Sequence, residues 1–169
     1  AFDIERAHDE IFNFIDAMVK AGIIPLSCGG DHSVSLPILR AVATQPLAFI
    51  HIDAHTDTWD SFQGSKFNHG APFRRAHEEG LIDATKTVQI GIRGAQNVSE
   101  GWDYSVNAGM RVMFVEEVQK RGVDEIIEEV RFIVGDTPVY LSCDIDSLDP
   151  AFAPGTGTPE IAGLTTSEA

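Results

Sequence analysis

The amino-acid sequence predicts an α/β fold, with a three-layer, doubly wound and mostly parallel sheet. Short apolar segments alternate with helical patterns along the whole chain, as expected when helices connect parallel strands. The segment Leu47–Ile52 is apolar or aromatic except for one histidine, which is typical of a strand buried on both faces. Neither an internal repeat nor a linker interrupts the alternation, so we expect one domain over residues 1–169.

The first part of the chain predicts a helix, a strand and a second helix. Over Ile4–Val19, apolar residues recur every three or four positions, the spacing of an amphipathic helix. A short apolar strand is expected over Ile23–Cys28, because Gly29-Gly30 would end it. A serine start signal then predicts a helix over residues 33–42.

The rest of the chain predicts a loop followed by alternating helices and strands. Thr58–Asn68 shows no clean period, which favours a functional loop. The helices and strands expected after it are Pro72–Gly80 and Val123–Val134 (helices), and Val88–Ile92, Arg111–Val115 and Pro138–Cys143 (strands). Because the chain opens with Ala and closes just after a Gly- and Pro-rich segment, we expect it to be truncated at both ends.

Charge and composition exclude several classes of partner. The formal net charge is −14, which argues against a nucleic acid or an anionic membrane, since both require clustered Lys and Arg. No apolar run approaches the roughly 20 residues needed to cross a bilayer. The two cysteines, Cys28 and Cys143, lie in apolar segments, so we expect buried, reduced thiols and a cytoplasmic protein.

Six potential metal ligands follow the carboxyl ends of predicted strands: His32, Asp53, His55, Asp57, Asp144 and Asp146. Ligands gather at these ends in α/β sheets, and the two-residue spacing places side chains on one face of an extended chain. Taken singly, each residue is more often a cap, turn or core group. Together, four carboxylates would repel one another without a cation. The donor set favours Mn²⁺, and its size suits two ions about 3.5–4 Å apart that share bridging aspartates.

Five motifs carry a resemblance to a known family. They are GGDHS (Gly29–Ser33), DAHTDTWD (Asp53–Asp60), NHGAPFRRA (Asn68–Ala76), VQIGIRG (Val88–Gly94) and SCDIDSLDPAFAPGTGTPE (Ser142–Glu160). In this order they resemble the ureohydrolase family, which includes arginase, agmatinase, guanidinobutyrase and proclavaminate amidinohydrolase. The resemblance implies an arginase-like fold, two Mn²⁺ ions per chain and a homo-oligomer, either a trimer or a hexamer.

The resemblance also implies a role for each matching residue. One manganese ion would be held by His32, Asp53, Asp57 and Asp144. The other would be held by Asp53, His55, Asp144 and Asp146, so that two aspartates bridge the ions. His69 matches the family's proton-shuttling histidine, and Glu168 matches the acidic residue that holds the guanidinium group in arginase-like members.

The predicted reaction is the hydrolysis of a guanidino compound to urea and a primary amine. A guanidinium carbon is a poor electrophile because its charge is delocalised, so the reaction needs metal-activated water and a group that protonates the departing amine. Trp59-Asp60 and the run to Asn68 resemble the agmatinase, guanidinobutyrase and guanidinopropionase branch more than arginase. Within that branch we favour agmatine, a small cationic guanidino substrate, because its cationic tail would suit an acidic pocket. An acidic substrate would instead need a donor such as Lys66.

Three alternatives stay open. The first is a guanidinobutyrase, a guanidinopropionase or another guanidino-acid hydrolase of the same family. The second is a single-zinc, deacetylase-like amidohydrolase, although its paired-histidine signature is missing from the sequence. The third is a catalytically inactive fragment.

Other polar residues are given smaller roles. His8 and His77 fall on predicted helices, where a surface position is expected. Arg74 and Arg75 are interpreted as helix-surface charges, and His51 is assigned no function. The segment Gly155–Pro159 lacks the lysine of a phosphate-binding loop, so we interpret it as a shaped active-site loop.

Overall fold

The computed structural model describes residues 3–95 and 101–169, and the chain divides into two compact units. The first unit comprises Ala1–Pro46 and Asp57–Ile82, and the second comprises Leu47–Thr56 and Asp83–Ala169. The expectation of one domain stays a prediction.

The first unit is helical. It contains α1 (Ile4–Lys20), α2 (Ser35–Val42) and α3 (Pro72–Glu78), with a 3₁₀ turn over His32–Val34 directly before α2. The Asp3 carboxylate accepts a hydrogen bond from Arg6 N–H and so caps the start of α1. Helix α2 packs against both α1 and α3. The three helices predicted in this region are confirmed, with ends shifted by at most two residues.

The strand predicted over Ile23–Cys28 is wrong. This segment pairs with no other described strand, and the side chains of Ile24 and Leu26 are 92% and 100% exposed. An apolar run forms a strand only where another backbone offers hydrogen bonds, and Pro25 also lacks an N–H group. Residues Thr58–Asn68 form a loop, as predicted, with one isolated antiparallel bridge between Phe62 and Ser65.

The second unit is built on a four-stranded sheet in the order β3-β2-β1-β4. The strands are β1 (Leu47–Ile52), β2 (Ile82–Ile92, whose first residue belongs to the first unit), β3 (Arg111–Phe114) and β4 (Val139–Cys143). The pairs β1/β4 and β2/β3 are parallel. The helices are α4 (Asp103–Ala108), α5 (Val115–Arg121) and α6 (Val123–Val134). The prediction of an α/β fold with parallel strands is therefore confirmed.

The core of the second unit lies where α6 covers the sheet. Ile126, Val130 and Val134 recur every four residues along α6, so they share one face of the helix. They belong to one buried cluster with residues of three strands, Ala48, Val88, Ile90 and Met113. Burial of such a side chain contributes about 1.5–3 kcal/mol to stability. The bounds of α6 are those predicted from its apolar pattern.

Short or polar elements were missed by the sequence prediction. Strand β2 begins at Ile82 rather than at the predicted Val88. Its first half was missed because Asp83 and Lys86 interrupt the apolar pattern. Helices α4 and α5 are only six and seven residues long, too short to show a helical period. Val115 was expected to end β3 but instead begins α5. None of the described helices is both long and apolar enough to cross a membrane.

The prediction of buried cysteines is also wrong. Among the described residues, neither Cys28 nor Cys143 forms a disulfide, and both are exposed. Cys28 lies in the unpaired segment after α1, and Cys143 ends β4, which is an edge strand among the described strands. An apolar neighbourhood in sequence does not bury a thiol unless a further element covers it.

Candidate metal centre

Three predicted ligands of the second unit lie together where β1 and β4 end. Asp53 follows β1, His55 lies two residues later, and Asp146 lies in a 3₁₀ turn after β4. The backbone N–H of Asp144 donates to Ile52 O at 2.9 Å, which aligns the two strand ends. Nδ1 of His55 lies 3.1 Å from Asp146 Oδ2 and 3.6 Å from Asp53 Oδ1. The three side chains each offer one ligand atom, all within 4.8 Å of one another.

Burial and charge make this cluster a candidate site for a cation. Asp53 and Asp146 are only 1% and 2% exposed, and two buried carboxylates repel each other without positive charge. Burial lowers the pKa of His55, but hydrogen bonds to Asp146 and Asp53 and their charges outweigh it and raise that pKa to about 11. The residues therefore fit a divalent ion, which would take the place of the imidazole proton. Oxygen and imidazole donors without thiolates suit a hard or borderline ion such as Mn²⁺.

Backbone groups of the second unit hold these side chains in position. Asp53 Oδ1 accepts a hydrogen bond from His55 N–H at 2.6 Å, and Asp146 Oδ1 accepts one from Ala54 N–H at 3.1 Å. Gly94 gives His55 its space, because a Cβ at this position would lie within 3.0 Å of Cδ2 and Nε2 of the imidazole. Glycine is therefore required at Gly94 for close packing.

A loop after β4 also reaches the cluster. The hydroxyl of Thr158 donates to Asp146 Oδ2 at 3.0 Å. Oε1 of Glu160 lies 3.4 Å from His55 Nε2 and accepts a hydrogen bond from Ala95 N–H at 2.9 Å. The interpretation of Gly155–Pro159 as an active-site loop is consistent with these contacts. The sequence prediction missed Glu160, although its place at the end of the last motif was the available signal.

Arg93 ties this loop to the strand ends. Its guanidinium group donates to six backbone carbonyls, those of Gly91, Asp146, Ser147, Leu148, Glu160 and Ile161. Gly163 permits this arrangement, since a Cβ there would lie within 3.0 Å of the Arg93 guanidinium. One side chain thereby fixes the turn that carries Asp146 and the loop that carries Glu160. The sequence prediction assigned Arg93 no role.

Two further predicted ligands lie together in the first unit. Nδ1 of His32 is 2.9 Å from Asp57 Oδ2, and the His32 ring contacts Phe73 edge-on at 5.0 Å between centroids. The carbonyl of Asp57 accepts a hydrogen bond from Phe73 N–H at 3.2 Å. Asp57 has φ of 50°, a left-handed conformation that costs energy for residues other than glycine. The fold holds Asp57 in this conformation, which is characteristic of functional positions.

The remaining predicted site residues have local contacts. Asp144 Oδ1 accepts a hydrogen bond from Asp146 N–H at 2.9 Å, as the cap of the turn after β4. His69 contacts the rings of Trp59 and Phe62 edge-on, at 6.0 and 5.8 Å between centroids. Oε2 of Glu168 accepts hydrogen bonds from N–H and the hydroxyl of Thr165, which lower the pKa of that carboxyl group.

Three residues expected to have no special role are buried. His8 packs edge-on against Phe67, because it lies on the inner face of α1 rather than on its surface. Arg75 donates to the carbonyl and carboxylate of Asp60 and to Glu78, so it anchors the loop instead of being a surface charge. His51 is 0% exposed, with Nε2 at 2.8 Å from Asp53 Oδ2. Alternation along β1 places His51 and Asp53 on one face, a signal that was present in the sequence.

Comparison with known proteins gives one consistent result. The profile of the arginase family matches residues 1–169. The chain is 50% identical over 170 residues to the mitochondrial guanidino acid hydrolase of Homo sapiens, covering 99% of this chain and 48% of that protein. It is 51% identical over 154 residues to the mitochondrial agmatinase of Gallus gallus, covering 90% and 45%.

A solved structure agrees with these sequence matches. The proclavaminate amidinohydrolase of Streptomyces clavuligerus superimposes with a TM-score of 0.90 at 42% identity, over 99% of this chain and 56% of that one. The chain thus spans about half the length of the curated relatives that it matches.

Proposed function

The chain belongs to the arginase family, and we propose that the protein is a metal-dependent amidinohydrolase that converts a guanidino compound to urea and a primary amine. The observation that carries this proposal is the group of two buried aspartates, Asp53 and Asp146, with the partly buried His55 at the strand ends. This group needs a cation to offset its charge, and its donors suit the ions that activate water. Similarity to a solved amidinohydrolase over 99% of this chain supports the same reaction class.

The proposed cofactor is a pair of Mn²⁺ ions per chain. The six residues that would hold the ions are His32, Asp53, His55, Asp57, Asp144 and Asp146. Bound ions of this kind would supply Lewis acidity that activates water near neutral pH. The chain itself supplies anionic oxygens held by backbone N–H groups, so the ligands are ordered before an ion binds.

His69 and Glu168 are proposed to act on the substrate. Expulsion of an amine requires that its nitrogen gain a proton, and we assign this transfer to the imidazole of His69. The Trp59 and Phe62 rings that contact His69 restrict its orientation. Because hydrogen bonds from Thr165 lower the pKa of Glu168, the carboxylate stays ionised near neutral pH and can pair with a guanidinium group.

Agmatine is the proposed substrate, because its cationic tail suits a chain of net charge −14, and a guanidino acid is the second candidate. Similarity does not choose between them, since a guanidino acid hydrolase and an agmatinase match at 50% and 51% identity. Asp60 in the Thr58–Asn68 loop is paired with Arg74 and Arg75. The ammonium group of Lys66 lies 3.8 Å from Asp60 and is largely exposed, which is the observation that favours an acidic substrate.

The decisive experiment is urea release by the manganese-loaded protein. Agmatine, 4-guanidinobutyrate, 3-guanidinopropionate and arginine are compared, and bound metal is measured on the same sample. Urea from one compound with two ions per chain supports the reaction and identifies the substrate. One zinc ion per chain in the protein as purified, before manganese is added, would favour the deacetylase-like alternative. Two ions without urea from any compound contradict the proposed reaction, and absence of metal would indicate an inactive homologue.

Assembly and location are proposed from the same resemblance. We propose a homo-oligomer, a trimer or a hexamer, in the cytoplasm, although two of the relatives named above are mitochondrial. Light scattering of the purified protein tests the assembly, and a monomer at micromolar concentration would contradict it. Fractionation of the source cells tests the location.

A further inference from the structure

His51 and Gln89 form a buried polar pair beside a proposed metal ligand. His51 lies in β1, and its ring stacks on Phe49 with 5.1 Å between centroids and 22° between planes. Gln89 lies in β2, the neighbouring strand. Nε2 of His51 is 2.8 Å from Asp53 Oδ2, and Nε2 of Gln89 is 3.1 Å from His51 Nδ1. Both side chains are fully buried, so their polar atoms have to be satisfied within the fold.

The hydrogen bonds of Gln89 determine which nitrogen of His51 carries the proton. Nε2 of Gln89 also donates to the carbonyl of Thr56 at 2.7 Å. An amide nitrogen has two hydrogens, so one is directed at Thr56 and the other at His51 Nδ1. A flipped amide would set its oxygen against the Thr56 carbonyl, which excludes that orientation. Nδ1 of His51 therefore accepts, and Nε2–H donates to Asp53 Oδ2.

The position of the Asp53 carboxylate is fixed by this arrangement. Oδ2 accepts from His51, and Oδ1 accepts from His55 N–H at 2.6 Å. Hydrogen bonds to both oxygens fix the plane of the carboxylate and leave further lone pairs for a metal ion. Both ring nitrogens of His51 are used in this chain of contacts, so His51 supports a ligand rather than serving as one.

One buried atom without a hydrogen bond indicates that the His51–Gln89 pair does more than fill the core. Oε1 of Gln89 is buried and accepts no hydrogen bond among the described residues. A pair that only filled the core would gain by replacing the amide with an apolar side chain. The amide is useful here because its N–H groups orient His51.

We propose that His51 and Gln89 are positioning residues, which hold the Asp53 carboxylate for metal binding and thereby set the affinity of the protein for its ions. The inference rests on the proposed metal-dependent function. Loss of a hydrogen-bond partner of a metal ligand typically weakens metal affinity by about 10- to 100-fold, and an effect of this size is expected here.

The test measures Mn²⁺ affinity directly, by the electron paramagnetic resonance signal of free Mn²⁺ and by competition with a chelator. His51→Phe keeps the ring that stacks on Phe49 but removes the N–H group, and it should bind Mn²⁺ about 10- to 100-fold more weakly. His51→Gln restores an N–H donor and should recover most of this loss. Phe49→Leu is the matched control, because it disturbs the same buried strand and should lower the thermal unfolding temperature without a change in Mn²⁺ affinity.

The outcomes separate this inference from the proposed function. Unchanged affinity in His51→Phe, while the parent binds Mn²⁺, would overturn the positioning role alone. An equal loss in Phe49→Leu would also overturn it, since general disturbance of the core would then explain the effect. A parent protein that binds no Mn²⁺ would overturn the proposed function itself. If His51→Phe does not fold, Gln89→Met tests the same chain of hydrogen bonds and should also weaken Mn²⁺ binding.

Discussion

The strand ends of the second unit and the Thr58–Asn68 loop of the first unit differ in how deeply their acidic residues are buried and in what holds them. At the strand ends, Asp53 and Asp146 are almost fully buried and accept hydrogen bonds from the backbone. The loop contains one isolated bridge, and Asp60, whose side chain is 44% exposed, anchors it through Arg75. Rigid elements hold catalytic groups in place, whereas exposed loops tolerate variation and often determine specificity. The difference explains why the reaction class follows from this chain more readily than the substrate.

Removal of a buried ligand should have the largest effect. Asp53→Ala eliminates the proposed bridging carboxylate and the acceptor for both His51 and His55. We expect loss of bound manganese and urea release below detection, as measured by metal analysis and a urea assay. Asp136→Ala, an exposed aspartate after α6, is the control and should retain both. Two ions per chain in Asp53→Ala would contradict the ligand assignment.

A substitution beside the loop should reduce turnover but spare the metal. His69→Asn is expected to lower kcat by about 10²- to 10⁴-fold, the usual contribution of a positioned acid or base. Metal content should stay at the parent value, because His69 is assigned to the substrate rather than to an ion. His77→Asn on α3 serves as the control histidine. Equal losses of metal and turnover in His69→Asn would contradict the assignment of His69 to the substrate rather than to an ion.

A larger residue beside His55 tests whether close packing at the strand ends is needed for metal binding. The methyl group of Gly94→Ala would overlap the His55 ring, so manganese affinity should fall by about 10- to 100-fold. Gly80→Ala is a control for backbone strain, since Gly80 has φ of 73° but a Cβ there meets nothing within 4 Å. It should reduce the free energy of unfolding by about 1–2 kcal/mol and leave metal affinity unchanged. If Gly94→Ala binds manganese normally, the strand ends are less rigid than the close packing indicates.

The smallest effect is expected from the loop anchor. A hydrogen bond from Arg75 holds the pKa of Asp60 below its ordinary value. A lowered folded-state pKa means that the contribution to stability is complete above the unfolded-state pKa of about 3.9 and is lost as pH falls through the lowered value. Because Asp60 is well exposed and screened by solvent, Asp60→Asn should cost at most about 1 kcal/mol in urea unfolding at pH 7. The difference from the parent should shrink in acid, and a constant difference would contradict the ion-pair explanation.

Long periodic elements and sequence motifs were predictable because their signals are local. The bounds of α6 follow from a repeated apolar face, and those of β1 from a run that is apolar or aromatic except for His51. The fold class follows from the alternation of apolar segments with helical patterns, and the family follows from the order of the motifs, in agreement with the family profile and a solved relative. The strand predicted over Ile23–Cys28 failed because β pairing depends on a partner that is distant in sequence. Helices α4 and α5 were missed because one or two turns contain too few residues to show a period.

The sequence by itself determined the types of donor and their two-residue spacing, and the resemblance of its motifs led to the proposed reaction class. Only the tertiary structure decided that His51 contacts Asp53, that Arg93 binds six carbonyls, and that Glu160 approaches His55. The contact of His51 with Asp53 depends on the directions of two side chains that are close in sequence. The contacts of Arg93 and Glu160 include residues that are distant in sequence. Composition and periodicity record which face a residue occupies, but a hydrogen bond also depends on distance and angle. Those quantities are fixed only when the strands pair and the loops close over their ends.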